Sequence, residues 1–489
     1  MNKRITALFL AGVMSVSAFH SVAAAKTDEP VKETYTIEEA TQGFIDAVEP
    51  EKNLTAGESV PILNEDELLS GFCVSLYAGE QPSGYVVIKN TTDGVRVSEF
   101  ATELGVENLY AQLMDRPAAK EIRQAASPAA AQAAEETEKV IYSFDTLDYK
   151  VAAEGTSDSE QAVFVDYDNQ RLDKQAFKEA KAAAKEQKKQ AKEERKKQKE
   201  ELKALKKAKK EQEKADKKAA KTLPYAGQEI DLSQVTVEQI EEAQQALETQ
   251  AEYVPFAQTS SDVVDGYKAV IDYNTFVNIA KETKKSNFLS NVFNYKIMTQ
   301  PYVYEHMGKY ACAVVAMTNA FSWLKANGYE KILKNNSYVD TYNALWDYSE
   351  TTFNKDENGN ETTSGSTHVS TQGPAMERLA KEQGYKYAST DGYWLVLYSD
   401  FKRDINQNLP CFFVYGAANN FCHEVFVTGY IETETQNFLY VASGWLTYED
   451  VPGADEHDFK FYHRYIDLKQ KFDGISGFSF HIGSNPDYK

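Results

Sequence analysis

From Asp173 to Lys221 the chain is almost entirely Lys, Glu, Gln, Arg and Ala, and its only sizeable apolar residues there are Phe177, Leu202 and Leu205. These residue types favour helix, yet a segment with so little to bury cannot build a core of its own. No heptad seam of apolar residues can be drawn through it, so a coiled coil is disfavoured. The expectation for 170–221 is a solvated charged helix or spacer, supported by pairs such as Glu193 with Lys197. Between Arg171 and Lys221 there are 21 Lys and Arg against 10 Asp and Glu, a local +11. The rest of the chain holds 32 basic and 64 acidic residues, a local -32 within a formal net charge of -21. An acidic body with one basic rod is not a nucleic-acid-binding composition. The rod itself suits anionic cell-wall polymer, or a protease-sensitive hinge.

The chain opens Met1-Asn2-Lys3-Arg4, carries no further charge until Lys26, and offers Ala23-Ala24-Ala25 for cleavage, which predicts a signal peptide over 1–25. An uncleaved anchor is the competing reading, since the run is about long enough to span a bilayer, but the Ala-x-Ala end favours cleavage. No other segment is apolar enough to cross a membrane. With no cysteine before Cys73, a lipid-carrying thiol near the start is excluded. The expected product is secreted, either extracellular or associated with the cell wall, with no membrane span once the signal is cut.

Four segments follow. Residues 26–169 combine a helical pattern at Ile37, Ala40, Phe44 and Val48 with strand-like stretches at 71–77, 84–88, 140–144 and 162–167, a small α+β domain. After the charged tract comes a polar connector, 222–285, with a helical pattern from Val237 to Leu247. From 286 to 489 aromatic residues become dense and charge runs vanish, as in a compact domain with a sizeable core. Four cysteines are too few for a disulfide scaffold. One bridge is compatible, for instance Cys411 with Cys422 across a hairpin, but four cysteines permit three full pairings and the sequence does not choose.

The chemistry gathers in the last segment. The run from Tyr310 to Leu324 has Val314, Met317, Ala320, Phe321 and Leu324 on one helical face, with Cys312 in the first turn. The positive end of a helix favours a thiolate there. About a hundred residues on, two strands joined by a turn at 416–420 place His423, Val425 and Val427 on one face and Glu424, Phe426 and Thr428 on the other. A third strand, 438–442, ends in Ser443-Gly444-Trp445. The remaining histidines beyond His306, at His368, His457, His463 and His481, show no metal-ligand spacing, so no metal and no cofactor is expected.

This order of motifs resembles the C39-like peptidases of secreted Gram-positive proteins, relatives of papain and, more distantly, of streptopain. The resemblance covers roughly residues 290 to 489. It is carried by Pro301-Tyr-Val-Tyr304 as a short aromatic strand, Cys312 at a helix start, a helix ending at Leu379 to Tyr385, the Pro410-led strand, and His423 to Tyr430. It implies a papain-like α+β catalytic domain with Cys312 as nucleophile and His423 as base. Where the family usually has an oxyanion glutamine, six residues before the cysteine, this chain has His306. Ala313 replaces the usual glycine, and Ser443 stands where an Asn or Asp would orient the histidine. Asp450 is a substitute orienter close in sequence.

The expected function is a secreted cysteine peptidase acting on a peptide or protein. The alternative is a weakened or inactive papain-like surface protein that binds peptide or cell-wall ligands. The Gly-Tyr-Val-Val-Ile stretch at 84–88 resembles the prodomains that precede streptopain-like enzymes, which implies a precursor whose first domain occludes the Cys312 cleft.

Overall fold

The computed structural model describes residues 32–125, 139–153, 162–166, 170–214, 222–225, 228–231, 235–256, 267, 269–295, 297–355, 359–392, 396–417, 421–444, 463–470 and 475–483. The expected signal peptide at 1–25, Trp445, Asp450 and His457 lie outside them. Residues Thr34–Lys489 form one compact unit of mixed α and β structure, and the expected boundaries at 169, 221 and 285 all fall inside it.

The helix Ile37–Val48 starts where the Thr36 hydroxyl accepts from the Glu39 amide and the Glu39 carboxylate accepts from the Thr36 amide, so two orphan donors are satisfied. It buries Ile37, Ala40, Phe44, Ile45 and Val48 against an antiparallel meander of strands Thr55–Leu63, Leu69–Ala78, Gln81–Thr91 and Gly94–Ala101. The strand Leu69–Ala78 is covered on both faces. Phe72, Val74 and Leu76 point into the main core, while Cys73 points into a second core closed by the helix Leu109–Met114. Burial drives the Cys73 thiol far above its ordinary range, so it behaves as a small apolar core residue.

One sheet runs through the whole unit. Gly94–Ala101 pairs with Arg464–Asp467, which pairs in turn with Asn437–Ala442, and the order continues through Phe421–Glu432, Cys411–Ala417, Ile475–Ile482 and Ala388–Gly392. Most of these pairings are antiparallel. Thr34–Thr36 also pairs with Val270–Asp272, tying the first strand to the end of the connector.

The charged tract is a 41-residue helix, Lys174–Lys214, and it is not a solvated spacer. Phe177 stacks on Phe164 at 3.6 Å and packs with Tyr142 and Phe144. Leu202 and Leu205 bury against Ile240, Ala243 and Leu247 of the helix Val237–Thr249. Between these anchors its cations meet carboxylates of the body: Lys181 with Glu67, Lys185 with Asp66, Lys188 with Glu65, Arg195 with Glu252. Phe177, Lys181, Ala184, Lys188, Arg195, Leu202 and Leu205 keep a three–four spacing along one face. The face is real, but three of these seven positions are cations.

Two local expectations are corrected. Pro301 to Tyr304 belongs to a helix, Gln300–Met307, not a strand. Thr299 caps it by accepting from the Tyr302 amide, Pro301 sits in its first turn, and Gly308 ends it at φ 66°. The Cys411–Cys422 bridge is ruled out by register, because Cys411 faces Val427 and Cys422 faces Gly416. Five residues of strand separate the two cysteines, roughly 17 Å against the ~7 Å a disulfide tolerates. Among the described residues no helix is long and apolar enough to cross a membrane.

Candidate active site

Cys312 is the first residue of the helix Cys312–Ala326 and is partly exposed, while Ala313 to Leu324 are buried. The residue before it is held from two sides. The Ala311 amide donates to the buried Tyr342 hydroxyl at 3.1 Å, and the Ala311 carbonyl accepts from Val315 at 3.0 Å. Tyr310 pairs through both backbone groups with Thr363 and Gly365 of the hairpin 352–366. The cysteine therefore stands at the start of a buried helix whose entry cannot drift.

His423 lies on the strand Phe421–Glu432, against which the Cys312 helix packs. The ring is 1% exposed, and its Nε2 donates to the backbone carbonyl of Ser443 at 2.8 Å. That bond fixes the tautomer: the proton sits on Nε2 and the acceptor lone pair on Nδ1. The cross-strand neighbour Tyr415 sets its ring edge to the imidazole at 5.5 Å. Ser443 is buried, and the expected orienting role falls to its carbonyl instead of its hydroxyl.

Gly444, the residue after Ser443, lies beside the Cys312 helix. It adopts φ +74°, and a Cβ built there would lie 3.3 Å from Cγ1 of Val315, one turn along the helix from Cys312. Its carbonyl accepts from the Gln300 amide at 2.8 Å. The Gln300 side chain is buried, its Nε2 lies 3.9 Å from that same Cβ position, and this nitrogen has no hydrogen-bond partner among the described residues. Asn319 of the Cys312 helix holds Met298 through both backbone groups, at 2.6 and 3.0 Å, which sets the height of Gln300 above the helix. Gln300 was not singled out from sequence. The signal was present in Thr299-Gln300-Pro301, a capped helix start that aims its first side chain back at the preceding turn.

His306, the expected oxyanion donor, is exposed on the helix Gln300–Met307. Its Nδ1 is bonded to the Tyr302 carbonyl at 2.9 Å and its ring stacks on Tyr302. The helix where a strand was expected turns this side chain outward.

Burial pushes the His423 imidazole down to about 3; the Ser443 carbonyl opposes this and the charge of Arg464 adds to it. Arg464 is itself buried and donates to Glu99 at 3.1 Å, and Glu99 also accepts from Tyr85 at 2.7 Å and from Tyr149 at 3.1 Å. Glu99, Tyr85 and Tyr149 come from the N-terminal strands. The charge that reaches the histidine thus belongs to a network that spans the pairing of Gly94–Ala101 with Arg464–Asp467. Among the described residues no three or more His, Cys, Asp or Glu side chains are grouped to hold a metal ion. Compared with known proteins, the chain matches no family model and no curated protein.

Proposed function

We propose that the chain is the closed precursor of a secreted cysteine peptidase with a papain-like arrangement, in which Cys312 is the nucleophile and His423 the base. The observation that carries the reading is the chain of contacts from His423 Nε2 through the Ser443 carbonyl and Gly444 to Val315 on the Cys312 helix. It leaves Nδ1 as the basic nitrogen, on a strand packed against the helix that Cys312 starts. The thiol gives its proton to Nδ1, the thiolate adds to a peptide carbonyl, and the imidazolium returns the proton to the leaving amine. Water, activated by the same nitrogen, then hydrolyses the thioester. The Cys312 amide and Gln300 Nε2 bind the oxyanion, the second in place of His306.

The neutral, enclosed histidine supports a precursor, since a thiolate–imidazolium pair is disfavoured where the imidazole titrates near 3. Opening the pairing between Gly94–Ala101 and Arg464–Asp467 would admit water and raise the imidazole toward its ordinary range. The test is mass spectrometry after brief exposure to an epoxide cysteine-peptidase inactivator, on the full chain before and after limited proteolysis. His423-dependent modification of Cys312 that increases on proteolysis is expected. No modification in either sample would replace the peptidase with a binding protein that uses the same cleft.

A further inference from the structure

The feature that the proposed peptidase does not use is Lys89, on the strand Gln81–Thr91 far along the sheet from Cys312. Its side chain is 1% exposed. Nζ donates to the Ser143 hydroxyl at 3.0 Å and lies 4.2 Å from the ring centre of Tyr253 and 4.8 Å from that of Tyr149. None of the described carboxylates is within ion-pair distance of it. Glu99 and Asp145 act on it only from further away, and burial lowers its amine to about 8. A buried ammonium with one neutral hydrogen-bond acceptor and two ring faces is an unfinished site, because a charge taken out of water is normally paired.

Beside Nζ is a cavity of about 90 Å³, lined by Asn64, Ser70, Ser143, Lys188 and Tyr253 among others. Asp145 and Glu252 also reach it, and both have engagements of their own: Asp145 Oδ1 accepts from the Thr146 amide, and Glu252 is paired with Arg195. Lys188 is paired with Glu65. The Asn64 carbonyl oxygen is spent on the amides of Asp66 and Leu68, so what its side chain has left to offer is an N–H donor. Ser143 donates to the Asp145 carbonyl and the Tyr253 hydroxyl donates to Gln470. The lining thus presents an ammonium and an amide donor beside aromatic faces, in a space for only a few non-hydrogen atoms.

We propose that this cavity binds a small carboxylate of formate to propionate size, its two oxygens on Lys89 Nζ and Asn64 Nδ2 and any short alkyl end against the Tyr253 and Phe144 rings. Peptides, nucleotides and phosphorylated metabolites are too large for the space. The lining comes from the N-terminal sheet, the long helix through Lys188, and the connector through Tyr253. An occupant would tie those three segments together and stabilise the folded chain by linkage.

The test uses the full-length protein in chloride-free fluoride buffer at constant ionic strength, with formate and acetate as probes. Line broadening of carbon-13 acetate that saturates, with a melting temperature that rises over the same concentrations, is expected, and both should vanish in Lys89→Met. Should Lys89→Met fail to fold, the wild type still decides: acetate is expected to raise the titration midpoint of the Lys89 amine by about one pH unit, a tenfold lower proton concentration, followed by its ε-carbon resonance. Absence of saturable binding, or binding that survives in folded Lys89→Met, overturns the site. Displacement of acetate by an equal concentration of chloride overturns the carboxylate assignment in favour of a halide.

Discussion

The imidazole of His423 is oriented by the backbone of Ser443: Nε2 donates to the carbonyl at 2.8 Å, and the serine hydroxyl takes no part in that bond. A residue type that breaks the usual Asn or Asp pattern therefore need not break the geometry, because every residue carries a carbonyl. What the site needs is a backbone turned the right way, and Gly444, at φ +74°, turns it.

It follows that Ser443→Ala should leave the rate of Cys312 alkylation in the opened protein within about threefold of wild type. Gly444→Ala should slow it further, since an alanine there adopts the left-handed region at a cost of about 1 kcal/mol and meets Val315. Equal losses in the two variants would return the orienting role to the Ser443 side chain.

Gln300 and His306 make opposite predictions about the oxyanion. Removing one oxyanion donor costs on the order of 10²- to 10³-fold in turnover, so on the proposed peptidase reading Gln300→Ala should lose that much peptide hydrolysis after opening. Simple alkylation of Cys312, which develops no oxyanion, should change little. His306→Ala should remain within about threefold in both assays, because its Nδ1 is bonded within its own helix. Steady-state kinetics beside alkylation rates on the same samples separate the two.

The elements that carry the site were legible from periodicity. The helix at Cys312 and the strands at 411–417 and 421–432 fall where apolar spacing puts them. The helix Gln300–Met307 was missed because the family resemblance implied an aromatic strand there, while the capping signals at Thr299, Pro301 and Gly308 settled it. The long helix was legible as a helix but not as a packed one. The face it turns to the body alternates Phe177, Ala184, Leu202 and Leu205 with Lys181, Lys188 and Arg195, and the acids that make cations welcome there, Glu65, Glu67 and Glu252, lie elsewhere in the sequence. The pairing of Gly94–Ala101 with Arg464–Asp467 joins strands more than 360 residues apart, and nothing local announces a contact of that kind.

That long-range pairing is held by the buried contact of Arg464 with Glu99. Glu99→Ala leaves a buried guanidinium without its carboxylate and strips two tyrosine hydroxyls of their acceptor, so a loss of about 3–5 kcal/mol is expected in chemical denaturation. The double variant Glu99→Met with Arg464→Met should lose less than Glu99→Ala alone. Hydrogen exchange should quicken at Gly94–Ala101 in the single variant, and Cys312 alkylation should rise with it.

Glu424, next to the histidine but on the opposite face of its strand, makes stability depend on pH. Burial raises its carboxyl to about 8, with Gln372 alongside pulling the other way. The folded state thus prefers the neutral acid, whereas the unfolded chain ionises near 4.5. The sign follows from proton uptake: the contribution is complete below pH 4.5 and is lost as the pH climbs through about 8, because the unfolded state releases its proton first. Glu103 and Asp404, each raised to about 7, act in the same direction, so the wild-type melting temperature should fall between pH 5 and 8.5. His423, lowered to about 3, acts in the opposite sense and only below its unfolded value of 6.5. Glu424→Gln keeps the shape and removes the proton, so it should melt close to wild type at pH 5 and a few degrees above it at pH 8.5. A constant difference across that range would mean that the buried carboxyl does not titrate there.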